Sequence, residues 1–450
     1  MKTKYNQEQK YKYIDFLEDL SKDYNIKEKE FFQNLVHFQS GDNLPFQRWY
    51  PYREGYSYKL VDYFIKKYNV SGPILDPFVG SGSSLLAGRL NGLKTYGIDV
   101  NPLALFISKV ENTNYNLQDL NDINSSLIKL LKLTRDEQCR TTKFPLADRY
   151  FDTEILQSML QVRDFIKLIT NPKVKNVFFL SWLSILENIS NVKKEGNGLK
   201  YKNRKRTKKG YITTPIDEWN NKRLPVNRFK YVLDLIRENI EKIKEDISRV
   251  TINAKEPTLF KGSSISKISK INECISMTIF SPPYVNFFDY FEIHKIELWL
   301  GEFIKSQEQL RKLKRTGFRS NPSSIANKSI ENKNKDVKQL INQFNPKDLW
   351  SKSIPEVVAG YFDDKELLLK EIFRKTKVGG MVVIVVGNSA YGGVIVPTDL
   401  LIARIAERIG FNVKDFKVAR HLTTSPQQRR FLESALSFMR ESIIVLKKEK

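Results

Sequence analysis

Cysteine and histidine are nearly absent from this chain. Two cysteines, Cys139 and Cys274, and three histidines, His37, His294 and His421, are scattered through 450 residues. Two thiols cannot build a disulfide framework, and none of the five residues falls at metal-ligand spacing. Long apolar runs are missing too. The longest aliphatic stretch, Val382 to Val386, falls far short of the roughly 20 residues that a membrane-spanning helix needs. The opening MKTKYNQEQKYKY lacks the apolar centre of a secretory signal. These absences predict a soluble protein in a reducing, cytoplasmic setting. Acidic residues are also in short supply: 51 Asp and Glu face 75 Lys and Arg, for a net charge of +24. That balance favours a polyanionic partner, and 12% aromatic content suits base stacking.

What is present is concentrated in two stretches. The first is Ile74-Leu75-Asp76-Pro77-Phe78-Val79-Gly80-Ser81-Gly82. A short strand ending at Asp76 runs through a Gly-rich turn into a helix over Leu85, Leu86 and Leu90 that stops at Gly92. A second strand, Thr95 to Ile98, ends on Asp99. This is β-loop-α-β, with an acid placed where ribose hydroxyls are held in nucleotide-binding folds. Gly80-Ser81-Gly82 is not followed three residues later by glycine, so the dinucleotide fingerprint is incomplete. Asp76 would repel a pyrophosphate and suits a cationic group instead. An α-amino group on an adenosine-bearing cofactor fits, which points to S-adenosylmethionine.

The second stretch is Ser281-Pro282-Pro283-Tyr284, directly after the apolar strand pattern Ile275 to Phe280. Two prolines remove two backbone donors and end the strand in a rigid turn. Such turns, at the carboxyl ends of parallel strands, are where open α/β sheets hold ligands.

Elsewhere the pattern predicts a helical extension over residues 1–45 and a helix capped by Ser57. Helices are also expected through most of 111–255, among them one over Phe229 to Ile247. Residues 193–210 carry nine basic residues against Glu195, a run that suits either a solvated, mobile loop or a phosphate track. Residues 305–350 carry eleven basic and four acidic residues and predict a second flexible basic segment. A helix around Lys365 to Arg374, a turn at Val378-Gly379-Gly380 and three further strands close the chain. His294 reads as a residue that caps or packs a helix.

Together these motifs resemble the DNA amino-methyltransferases, the family that methylates cytosine N4 or adenine N6. DPFVGSGSS is similar to the family's cofactor motif and SPPY to its catalytic tetrapeptide. WYPYREGYSYKLV, HKIELWLG, VVGNS and RESIIVLKK are similar to further family segments. The resemblance covers about residues 45–110, 258–300 and 375–448. It implies a Rossmann-like α/β sheet with helices on both faces, interrupted by a large helical insertion and a second basic insertion. On this reading 46–110, 256–300 and 355–450 form the catalytic domain. Residues 111–255 are the leading target-recognition region and 301–354 a second.

The resemblance also implies roles. Asp76 would meet the cofactor's amino group and Asp99 its ribose. Gly80 and Gly82 would allow close approach, and Tyr52 and Phe78 would pack on the cofactor. Ser263 stands where the family often carries an acid. Ser281, Pro282, Pro283 and Tyr284 would act on an extruded base in double-stranded DNA. SPPY favours cytosine N4 over adenine N6, and a cognate restriction endonuclease would be the partner. Cytosine-C5 chemistry needs a nucleophilic cysteine, and neither cysteine here follows a proline. An RNA base methyltransferase and an inactive nucleic-acid-binding protein remain the alternatives.

Overall fold

The run Ile275–Phe280 is buried at every position, as a strand covered on both faces must be. It lies inside an eight-stranded sheet. The structure, a computed structural model, describes residues 7–37, 43–196, 198–207, 210–325, 333–424, 429 and 432–450. The expectations for residues 1–6, 38–42 and 326–332 therefore fall outside the described residues.

In chain order the strands are β1 (Ile26–Glu28), β2 (Ile74–Asp76), β3 (Thr95–Asp99), β4 (Val192–Glu195), β5 (Gly198–Tyr201), β6 (Arg204–Thr207) and β7 (Gly210–Thr213). They continue as β8 (Thr258–Lys261), β9 (Ile275–Phe280), β10 (Thr376–Gly387), β11 (Ser389–Tyr391), β12 (Val394–Val396), β13 (Phe411–His421) and β14 (Arg440–Lys448). The main sheet has the order β1-β13-β14-β10-β9-β2-β3-β8. Only β14 runs antiparallel to its neighbours.

Period-two alternation divides the apolar side chains of β10 between the two faces of this sheet. Val382, Ile384 and Val386 join one core with the helices Ile354–Lys375 and Thr398–Ile409. Met381, Val383 and Val385 join another with the helix Tyr58–Lys67. Ser57 caps that last helix by accepting from the Lys59 N–H, as expected.

The sheet order creates the site. From β2 the chain moves one way, to β3 and later β8, and then returns to the other side of β2 as β9. The carboxyl ends of β2, β3, β8 and β9 share one edge, and the reversal of strand order falls between β2 and β9. Open α/β sheets hold ligands at such a crevice.

Between β3 and β8 lies a mostly helical region whose core is shared with Leu86, with the segment before the first motif and with the helices after SPPY. Trp182 and Met159 meet Ile236 and Ile240 there, beside Trp49 from the segment that precedes the first motif. The helix Arg228–Arg249 is anchored to that segment through Asp246, which accepts from the Trp49 indole at 2.8 Å and from Arg48 at 2.6 Å.

Several expectations need correction. The N-terminal stretch is helical over Gln7–Ser21, but Ile26–Glu28 is a strand paired with β13. Its backbone finds partners on the free edge of β13 instead of in a continued helix. The basic run is no loose loop, since β4 pairs with β5 and β6 with β7. The helix expected around Lys365 begins at Ile354. The Val378-Gly379-Gly380 turn is an irregularity within β10, which runs on from Thr376. The segment expected to be a flexible basic insertion carries the helices Gln307–Thr316 and Lys335–Ile341.

Candidate active site

A cavity of about 440 Å³ opens at the carboxyl edge of β2, β3 and β9. Its wall includes Asp76 to Ser81 from the first motif, Asp99, Gly262 and Ser263, and all four residues of SPPY. The two stretches singled out in the sequence, some two hundred residues apart, therefore meet at one cleft.

Asp76 ends β2 with its side chain 2% exposed. It accepts from Ser84 Oγ at 2.5 Å, the Phe78 N–H at 2.9 Å and the Tyr56 hydroxyl at 3.1 Å. Burial dominates these bonds and pushes the carboxyl up to about 7. Asp99, at the end of β3, accepts from the N–H groups of Gly80 at 3.1 Å and Asn101 at 2.8 Å. Burial raises its pKa too, against those bonds.

The two glycines do different work. Gly80 has φ +51°, and a Cβ there would sit 2.9 Å from the Tyr52 ring, so only hydrogen keeps that wall open. Gly82, φ +94°, is not among the residues lining the cavity. A Cβ on it would stand 2.5 Å from Ser108 Oγ on the helix Pro102–Glu111. Its lack of a side chain admits that helix.

Tyr52 lies parallel to the His294 ring, with centroids 5.5 Å apart. Phe78 packs against Phe280 and Phe318, and the Lys365 ammonium lies 5.1 Å from the Phe78 ring centre. Ser263 sits at the start of the short helix Ser264–Lys267 without a side-chain capping bond.

Tyr284 is held from two sides. Its hydroxyl donates to Glu441 Oε1 at 2.5 Å, and Glu441 in turn accepts from Arg420. Its ring lies so close to Gly387 that a Cβ there would be 2.8 Å from Cε2. Ser281 Oγ donates to the Tyr284 hydroxyl at 3.4 Å. Burial, with Glu441 alongside, lifts the phenol pKa well above its ordinary value, so the hydroxyl keeps its proton.

Sequence reasoning missed the network below Tyr52. Lys194, from β4, donates to Glu297 at 2.6 Å and lies 3.1 Å from His294 Nδ1. His294 Nε2 is 3.2 Å from Glu54, and the Tyr50 hydroxyl donates to Glu297 at 3.0 Å. Burial opposes ionisation of Glu297, yet Lys194 and His294 bring its carboxyl below the usual range. His294 sits at the junction of two short helices, in keeping with a packing role. Among the described residues no cluster could hold a metal, and both cysteines are exposed and away from the cleft. No helix among them is long and apolar enough to cross a membrane. In hindsight the signals for the network were the acids in YREGY and HKIELW, each flanked by aromatics.

No family model matches the chain. Curated relatives do. The chain is 29% identical to Type II methyltransferase M.BsoBI of Geobacillus stearothermophilus, over 90% of its own length and 86% of the relative's. It is 27% identical to M.AvaI of a Nostoc species, over 86% and 83%. It is 25% identical to M.MvaI of Kocuria varians, over 74% of each. Over most of its length the chain is thus similar to Type II methyltransferases, in line with the resemblance read from its motifs.

Proposed function

We propose that the protein is a site-specific DNA methyltransferase and the modification half of a restriction system. It moves a methyl group from S-adenosylmethionine to the exocyclic amine of a base extruded from double-stranded DNA. Cytosine N4 is the favoured target over adenine N6, and the partner is a cognate restriction endonuclease. One observation carries the reading: the acid-and-glycine turn after β2 and the double proline after β9 wall the same cavity. The region 111–255 is assigned to target recognition, with 301–354 second, and the protein to the cytoplasm.

The residues present fit the cofactor. Asp76 Oδ1 uses one lone pair on Phe78 and keeps another for an ammonium group. Each Asp99 oxygen likewise accepts one backbone N–H and can accept a ribose hydroxyl as well. When bound, S-adenosylmethionine supplies an electrophilic methyl on a cationic sulfur.

An exocyclic amine is a poor nucleophile because its lone pair is delocalised into the ring. In this proposal the Pro282 carbonyl and Ser281 Oγ accept from its N–H groups and favour a tetrahedral nitrogen. The prolines hold that carbonyl still, so little reorganisation remains for the transition state. Tyr284 offers a ring face to the extruded base, and Glu441 and Gly387 fix its orientation beforehand. No covalent enzyme intermediate is needed.

Purified protein given labelled cofactor should transfer label to duplex DNA, and Tyr284→Ala should not. Label entering tRNA or rRNA instead would make the substrate RNA. Wild-type protein that binds DNA yet transfers nothing would leave only a binding module.

A further inference from the structure

Residues 196–216 contain no aspartate or glutamate, yet they carry seven lysines and arginines. Among the described residues the fold divides these cations into two groups. Those at the root have partners inside the protein. Lys200 pairs with Glu195 at 2.6 Å. Lys202 donates to the carbonyls of Glu187, Asn188 and Ser190 at 2.6 to 3.0 Å, closing the end of the helix Leu186–Ile189. Just upstream, Lys194 is spent on Glu297. Beyond this root the chain turns out as the β6–β7 ribbon. Among the described residues no carboxylate lies within salt-bridge distance of Arg204, Lys205 or Arg206, and all three are exposed.

Among the described residues the ribbon is bare: β7 is exposed along its whole length, and so are Arg204 to Arg206 of β6. Directly opposed residues of an antiparallel pair share a face. The pairs Arg204↔Thr213 and Arg206↔Tyr211 therefore share one face, and Lys205↔Ile212 the other. On the first face the Arg204 guanidinium lies 4.2 Å from the Tyr211 ring centre. Tyr211 and Ile212 are 58% and 62% exposed, large apolar groups on an otherwise cationic element. An isolated two-stranded ribbon is marginal in water, so one anchored this firmly and left bare is shaped for a partner.

We propose that the β6–β7 ribbon is an arm that lies in the major groove of the DNA whose base enters the active site. Arg204 and Arg206 meet the phosphate backbone there, and Tyr211 faces the groove. The inference rests on the methyltransferase reading. Two physical matches favour duplex DNA over other polyanions. A two-stranded ribbon fits the B-form major groove, about 12 Å wide, whereas the A-form groove of double-stranded RNA is too narrow to admit it. Reach agrees as well. Gly196 lines the cavity, and Arg204 follows eight residues later. Eight residues span at most about 28 Å, less than one turn of B-DNA at roughly 34 Å. The ribbon therefore meets the duplex within a turn of the extruded base.

The test compares full-length wild type, Arg204→Ala/Arg206→Ala and Lys66→Ala/Lys370→Ala. The last removes two exposed lysines from helices elsewhere and matches the charge change. Binding to sheared genomic DNA from a methylation-free strain is titrated against salt, with double-stranded RNA in parallel. The ribbon variant should bind DNA at least about tenfold more weakly. Its slope of log K against log salt should fall by about 1.8, near 0.9 for each lost phosphate contact. The control should stay within about twofold of wild type, and melting temperatures should agree among the three. Equal DNA binding by wild type and ribbon variant, while both transfer methyl groups, overturns the arm and leaves the proposed function standing. An equal loss on RNA and DNA also overturns it, because the ribbon is then a general polyanion surface. A wild type that transfers nothing to any duplex overturns the proposed function, and the arm with it.

Discussion

If Asp76 holds the cofactor's ammonium group as proposed, cofactor binding should depend on pH in a window set by the burial of its carboxyl. Its carboxyl, ordinarily near 3.8, is pushed up to about 7 in the folded protein, chiefly by desolvation. The proposed contact to the cofactor's ammonium requires the ionised form. At pH 6.0 about 9% of Asp76 is ionised and at pH 7.5 about 76%, so affinity should rise roughly eightfold between the two. Above pH 8 the gain should reverse, because a free α-amino group loses its proton near 7.7–8.0. The result is a narrow optimum between pH 7 and 8, measurable by calorimetric titration of the purified protein with S-adenosylmethionine. Asp76→Asn should flatten the acid limb and weaken binding by roughly 1.5–3 kcal/mol, the value of a hydrogen bond to a charged group. Folding stability follows with the opposite sign. A carboxyl whose pKa is raised on folding holds its proton more tightly in the native state. This group's contribution is therefore fully present below about pH 4 and is lost as pH rises toward 7, by up to about 4 kcal/mol. Wild-type affinity that does not change between pH 6.0 and 7.5 would refute the reasoning about Asp76.

Other perturbations bear on separate parts of the account. Gly387→Ala puts a Cβ 2.8 Å from the Tyr284 ring and 3.1 Å from Leu422; kcat should drop while the cofactor Kd holds, at a stability cost of about 1–3 kcal/mol. Unchanged turnover would mean that the ring's position matters little. Gly80→Ala meets both φ +51° and the Tyr52 ring, so cofactor affinity should fall with about 1–2 kcal/mol of backbone cost; an equal Kd would contradict this. Lys194→Met strands the buried Glu297 carboxylate and should cost about 3–5 kcal/mol in urea unfolding. Adding Glu297→Gln should recover much of that loss, and strict additivity of the two changes would count against a coupled pair.

The parts of the site legible in sequence are those built from contiguous residues. Asp76, Gly80 and Asp99 lie within one β-loop-α-β unit, and the double proline announces the end of β9 with no knowledge of its neighbours. The strand order around β2 brings the two stretches to one sheet edge. What could not be read depends on distant partners. Glu441 fixes Tyr284 across 157 positions, and Lys194 finds Glu297 across 103. Nothing local marks Glu441, and the setting of Glu297 in HKIELW does not name Lys194 as its partner. The hairpins of 192–213 were hidden for another reason. Each strand is four residues long and β6 is nearly all cations, so no sustained apolar period is present and backbone pairing with a few anchored lysines sets the structure instead. At Gly82 the motif shows the glycine but not that a helix, Pro102–Glu111, packs against it.

The central claim is that the cleft between the glycine turn and the double proline methylates a base amine in DNA. The most direct measurement is mass spectrometry of nucleosides from a methylation-free host expressing the full chain, beside hosts expressing Tyr284→Ala or nothing. The account predicts N4-methylcytosine at a fixed sequence context in the first host and none in the others. N6-methyladenine would keep the cleft's role and change its target, whereas DNA with no methylated amine in any of the three hosts would contradict the account.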